Sequence, residues 1–88
     1  MIMDAVKRVT YSEFLEFELQ DTVSENVKRF IAASGYTGEE LAMRTNLSIA
    51  TISRLKAGQN LTIRSICALA EALNKQPEAF FVRKEKRD

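Results

Sequence analysis

Thr37-Gly-Glu-Glu-Leu-Ala-Met-Arg-Thr-Asn-Leu-Ser-Ile-Ala-Thr-Ile-Ser-Arg-Leu-Lys-Ala-Gly58 is the stretch that decides the fold. Two short helical patterns, 37–44 and 48–57, meet at the turn Arg44-Thr45-Asn46-Leu47-Ser48 and are closed by Gly58. In the first, Leu41 and Ala42 share a face with Thr45 at i+4, and Ala42 is small enough to let another helix cross closely. Leu47 can drop into the angle between the two. In the second, Ile52 and Leu55 share the i,i+3 face and leave Ile49, Ala50, Thr51, Ser53 and Arg54 at the sides or outside. A helix that is small, polar or basic outside and held by two aliphatic anchors suits insertion into a groove. Any small helical bundle could contain such a pair, so spacing alone leaves both readings open.

Working outward, the caps set the element boundaries. Thr37 is the expected N-cap of the first helix, with Glu39 and Glu40 in the turn where the helix dipole favours acids. Ser48 caps the second, and Ala57-Gly58 ends it. Gln59-Asn60-Leu61 forms a loop, and Thr62 caps a further helix whose Ile66, Leu69, Ala70 and Leu73 recur at helical spacing. Cys67, among Ile66, Ala68 and Leu69, reads as a small buried side chain. Pro77, after Asn74-Lys75-Gln76, fits the first position of a short last helix carrying Phe80, Phe81 and Val82, with at least one Phe plugging the base of the core.

Upstream, Thr22 with Glu25 in cap spacing predicts a helix start, and Val23, Val27, Phe30 and Ile31 predict its buried side up to Ser34-Gly35. Before that, Thr10 and Glu13 form a capping box for a helix with Tyr11, Phe14, Leu15 and Leu19 on one side. The same letters alternate as Val9, Tyr11, Leu15, Phe17 and Leu19, a half-buried edge strand that would pair with its counterpart in a second subunit. The helix is favoured, because the cap is well placed and no second strand is evident. The expected organisation is an N-terminal extension at 1–21 that contacts a dimer mate or partner, a binding domain at 22–82, and a charged tail at 83–88.

Composition excludes several classes of function. The chain has 88 residues with 13 bases, 12 acids, one Cys and no His. One Cys allows no internal disulfide, and the lack of His removes the usual zinc ligand and proton carrier. Cys67 has no His partner, Ser48 and Ser53 have no base beside them, and Glu39 and Glu40 are explained by the helix start. An enzyme is not expected, and neither is a cofactor or metal. No apolar run approaches the roughly 20 residues needed to span a bilayer, and Met1-Ile2-Met3-Asp4 does not resemble a signal peptide, so the expected location is the cytoplasm. The net charge of +1 leaves no global nucleic-acid footprint. Its distribution is informative: −3 over 1–21, then +2 over 22–82 and +2 over 83–88.

Residues 23–81 resemble the phage-repressor type of helix-turn-helix domain, the Cro-like and lambda-repressor-like or xenobiotic-response-element family that includes many bacterial regulators and antitoxins. The resemblance is carried by T-G-E-E-L-A-M-R-T-N-L-S at 37–48, T-I-S-R-L-K-A-G at 51–58 and N-L-T-I-R-S-I-C-A-L-A-E-A-L at 60–73. It implies an all-α, compact four- to five-helix lambda-repressor-like domain whose second motif helix enters the major groove. It also implies that Ile49, Ala50, Thr51 and Arg54 face base edges with Ser53 at the margin, and that Thr37, Gly38, Lys56, Asn60 and Arg64 hold phosphates. Leu41, Ala42, Leu47, Ile52, Leu55, Ile66 and Leu69 would be scaffold. The family often carries glutamine where this chain has Gly38 and Ile49, so the polar clamp on adenine is missing. Specificity then leans on methyl contacts, Arg54 and DNA shape, or the domain serves mainly to bind protein. The implied function is a sequence-specific regulator of transcription, a repressor on a palindromic operator of double-stranded DNA as a homodimer. The alternative is an antitoxin that regulates its own operon and covers a toxin with the acidic, aromatic segment 10–21.

Overall fold

The computed structural model describes residues 10–83. They form four α-helices and a closing 3-10 turn: α1 (Tyr11–Ser34), α2 (Gly38–Thr45), α3 (Ile49–Lys56), α4 (Ile63–Ala72) and the turn Pro77–Phe81. The domain is all-α, and the favoured helix reading of the N-terminal extension agrees with it. A dimerising strand is set aside for Tyr11 onward, where the backbone is helical.

α1 starts where its cap predicts. Thr10 Oγ1 accepts from the Glu13 amide at 3.1 Å, and the Glu13 carboxylate accepts from the Thr10 amide at 3.0 Å. The helix then runs through Thr22 without a break, which corrects the expected second start there. Cap spacing makes a helix start only where the preceding backbone has left helical geometry, and no Gly or Pro stands between Tyr11 and Ser34 to make it do so. Gly35, at φ 74°, closes the helix. The passage from exposed extension to buried domain falls inside α1, between Leu19, 47% exposed, and Val23, 5% exposed.

Val23, Val27 and Ile31 of α1 close the core with Leu41, Ile52, Leu55, Ile66, Leu69, Ala70 and Phe80, each from the face its spacing predicts. α2 packs on α3 and α4, α1 on α3 and the 3-10 turn, and α4 on that turn. Phe80 is the plug: fully buried, it meets Phe30 edge-on with ring centroids 5.0 Å apart. Its neighbour Phe81 is 37% exposed. Cys67 is exposed, contrary to expectation. Apolar neighbours in sequence do not bury a helical residue; the buried face of α4 is Ser65, Ile66, Leu69 and Ala70, and Cys67 projects about 100° away from Ile66.

One buried polar residue ties α1 to the 3-10 turn. Asn26 lies on the α1 stripe between Val23 and Val27, and its amide donates to the Phe80 carbonyl at 2.7 Å and the Val82 carbonyl at 2.9 Å. Its own oxygen accepts from Arg29. Asn26→Ala leaves the buried Phe80 carbonyl without a donor, and the expected loss is about 2 kcal/mol of unfolding free energy in urea titrations. A loss under about half a kcal/mol would mean that water replaces the amide at no cost.

Candidate nucleic-acid interface

The geometry of the α2–α3 corner follows from three short polar side chains. Thr45, buried at the end of α2, donates its hydroxyl to the Leu41 carbonyl at 2.6 Å and accepts from the Leu47 amide at 3.2 Å. Asn46 then takes the left-handed conformation, φ 61°, which asparagine tolerates better than other residues with a β carbon. Ser48 starts α3 by accepting from the Thr51 amide at 3.0 Å. The corner is therefore tied from both sides, and half-buried Leu47 fills the angle between the helices.

α3 is anchored by Ile52 and Leu55, both essentially inaccessible. Ile49, Ala50, Ser53 and Arg54 are exposed on its outside, and Ile49 keeps 57% of its surface open to solvent. An isoleucine standing in water on a two-anchor helix has no folding role there, and it offers a methyl surface. Thr51 differs from the others. It is half-buried, and its hydroxyl is a partner of Ser48 Oγ at 2.9 Å, so its side chain is oriented before any ligand arrives.

Of the phosphate candidates, three converge. Thr37 caps α2 by accepting from the Glu40 amide, and the capping box is completed by Glu40 accepting from the Thr37 amide. The amides of Gly38 and Glu39 are left without intrahelical acceptors by their place in the first turn. The Lys56 ammonium sits at this spot: a β carbon on Gly38 would stand 3.7 Å from Lys56 Nζ. A cation at the positive end of a helix is a poor arrangement alone and a good one around an anion, so Thr37, Gly38 and Lys56 are the candidate phosphate contacts that the fold brings together. Asn60 adopts φ 58°, and its carbonyl accepts from the Ser65 hydroxyl at 2.8 Å, which shapes the bend into α4. Arg64 is exposed in the first turn of α4.

Arg44, a base in the last turn of α2, is held against an aromatic ring in the folded chain. Its guanidinium lies 4.2 Å from the centroid of the Tyr36 ring, a cation–π contact that fixes its direction. The two residues are eight apart, so no helical spacing pairs them; they meet because the chain bends between α1 and α2.

Two helices joined by a tight turn, with the second exposing a basic and apolar outer face, define a helix-turn-helix unit. A helix-turn-helix family model matches residues 27–80, and the chain belongs to that family. It is a DNA-binding regulatory protein. No curated protein and no solved structure matches the chain. The first part of α1, up to Asn26, precedes the matched segment. Among the described residues, no helix is long and apolar enough to cross a membrane, and no group of His, Cys, Asp and Glu side chains is placed to hold a metal ion.

Proposed function

We propose that this protein represses transcription by occupying a palindromic operator as a homodimer, with α3 in the major groove. The observation that carries the reading is the outer face of α3. Ile49, Ala50, Ser53 and Arg54 are all exposed on a helix held by only two core residues, and Arg54 has both the reach and the planar donor set for guanine. Ile49 and Ala50 supply contact for thymine methyls, while Lys56 and the α2 start grip a phosphate. Two copies are needed because one short helix reads about half a site, and a net charge of +1 contributes little sequence-independent affinity.

Arg54→Ala is expected to cost about 1–3 kcal/mol of operator affinity and to relax preference at one base position. Fluorescence anisotropy with the DNA upstream of the gene, against a scrambled duplex over a salt series, measures both. Equal affinity for the two duplexes, unchanged by Arg54→Ala, would sink the reading. Lys56→Ala should weaken both duplexes together, with a shallower salt slope.

A second reading, an antitoxin that also regulates its own operon, is favoured by one specific observation. Tyr11, Phe14, Leu15, Phe17 and Leu19 are all about half exposed or more, beside Glu13, Glu16, Glu18 and Asp21. Such a segment matches a partner with an apolar groove and a basic rim. Co-expression with the product of an adjoining small reading frame distinguishes the two: stable co-purification lost on truncating 1–20 supports the antitoxin, and no complex removes it.

A further inference from the structure

α1 divides its charge along its length. Residues 11–22 hold Glu13, Glu16, Glu18 and Asp21 with no base, whereas 23–34 hold Lys28 and Arg29 against Glu25. Phe14, Phe17, Asp21, Glu25 and Lys28 line a single open cleft along the helix. Phe17, Asp21 and Lys28 follow one another at near-whole turns, so aromatic, acid and base lie in that order on one face. Phe14 and Phe17 keep 48% and 57% of their surfaces exposed, although nothing in the described chain covers them.

We propose that this face docks a second copy of the chain, the two α1 helices lying antiparallel and centred near Thr22 and Val23. The proposal rests on the homodimer reading and names its surface. Charge selects the arrangement. A parallel pair sets four acids against four acids, and so does an antiparallel pair centred on the first half of the helix. Centring on the midpoint of Tyr11–Ser34 instead brings the acidic, aromatic end of each helix onto Lys28 and Arg29 of the partner subunit, and the like-charge approach that remains is Asp21 of one copy to Glu25 of the other. Phe17 and Lys28 lie equally far from that midpoint on opposite sides, so each ring meets the other copy's ammonium, with Asp21 alongside.

Two features of the single chain prepare the contact. Glu18, in the middle of the cleft, is already paired with Arg83, which lowers the uncompensated acidity there. Cations on aromatic faces are also a contact this chain uses internally, where Arg29 and Lys75 lie 4.9 and 4.5 Å from the Phe30 centroid. Lys28 further borders Gly58 at the end of α3, so the docking surface adjoins the DNA-reading helix.

Sedimentation equilibrium of the full chain across the micromolar range tests the face. The wild type is expected to dimerise reversibly, and Phe14→Ser/Phe17→Ser to be monomeric with unchanged far-UV circular dichroism, since both rings are exposed. Lys28→Glu should weaken the dimer about tenfold or more, and mixing it with an Asp21→Lys chain should restore association, most strongly at low salt. A wild type that stays monomeric, or a dimer of unchanged strength in Phe14→Ser/Phe17→Ser, overturns the proposal. Operator titrations of the same samples keep the two readings apart: a chain that still prefers its operator, with two copies bound, retains the palindrome reading even when the α1 face has failed.

Discussion

Phe80→Ala is expected to cost about 4 kcal/mol of unfolding free energy, more than any other single truncation in this core. Phe80 is fully buried and touches elements far apart in sequence: its ring meets Phe30 on α1, and the turn that carries it packs on α4. Truncation removes the transfer free energy of the ring and leaves a cavity between the 3-10 turn and the helices α1 and α4 that it packs on. Collapse into that cavity is resisted because the backbone of the turn is held by Asn26. A domain of this size has only about 5–10 kcal/mol in total, so the variant should begin to unfold near physiological temperature. Urea titration followed by circular dichroism gives the number. A cost below about 2 kcal/mol would show that the 3-10 turn is a lid and not part of the cooperative unit. Asn26→Ala combined with Phe80→Ala should cost less than the sum of the two, because the amide clamps the same turn that the ring anchors.

Gly58→Ala should cost about 3 kcal/mol, from two separable causes. At φ 79°, alanine carries the left-handed penalty of about 1–2 kcal/mol. The added carbon would also stand 2.1 Å from Ser24 Oγ, 3.1 Å from Lys28 Cε and 3.2 Å from Ser24 Cβ. The hydroxyl and the lysine stem can turn away, but Ser24 Cβ is fixed to α1, so the end of α3 must retreat. Gly35→Ala supplies the control: its φ is 74°, and a β carbon there meets nothing within 4 Å, so it should show the backbone penalty alone. The difference between the two variants measures the packing of α3 on α1, and Ser24→Ala should recover part of it. Equal costs at Gly35 and Gly58 would mean that the contact with Ser24 relaxes freely.

What could be read in the sequence was what is local. The caps at Thr10, Thr37, Ser48 and Thr62 act within three residues, and all four accept the hydrogen bonds that their spacing predicts. Leu41, Ile52, Leu55, Ile66 and Leu69 are buried because period alone tells the inside of a short helix from its outside. The outward direction of Ile49, Ala50, Ser53 and Arg54 follows by exclusion. What could not be read depends on which elements meet. Asn26 bonds to a carbonyl 54 residues away, and nothing near it in sequence announces the acceptor, although a lone polar residue in the stripe Val23, Val27, Ile31 was a signal to follow. The contact of Gly58 with Ser24 and the approach of Lys56 to Gly38 likewise need the helices assembled first. The continuity of α1 is hidden for a different reason: the Thr22–Glu25 spacing is a valid start signal that the continuing helix overrides.

The two-anchor attachment of α3 separates what keeps this protein folded from the side chains that we propose it recognises DNA with. Ile52 and Leu55 are the only α3 side chains sealed in the core, so the residues between and beyond them can be exchanged with little thermodynamic penalty. Vocabulary is free to drift while grammar stays put. If operators are read as proposed, a lineage built on this scaffold can acquire new ones by substitution at Ile49, Ala50, Ser53 and Arg54 without passing through unfolded intermediates, and a designer can screen those four positions as an independent library.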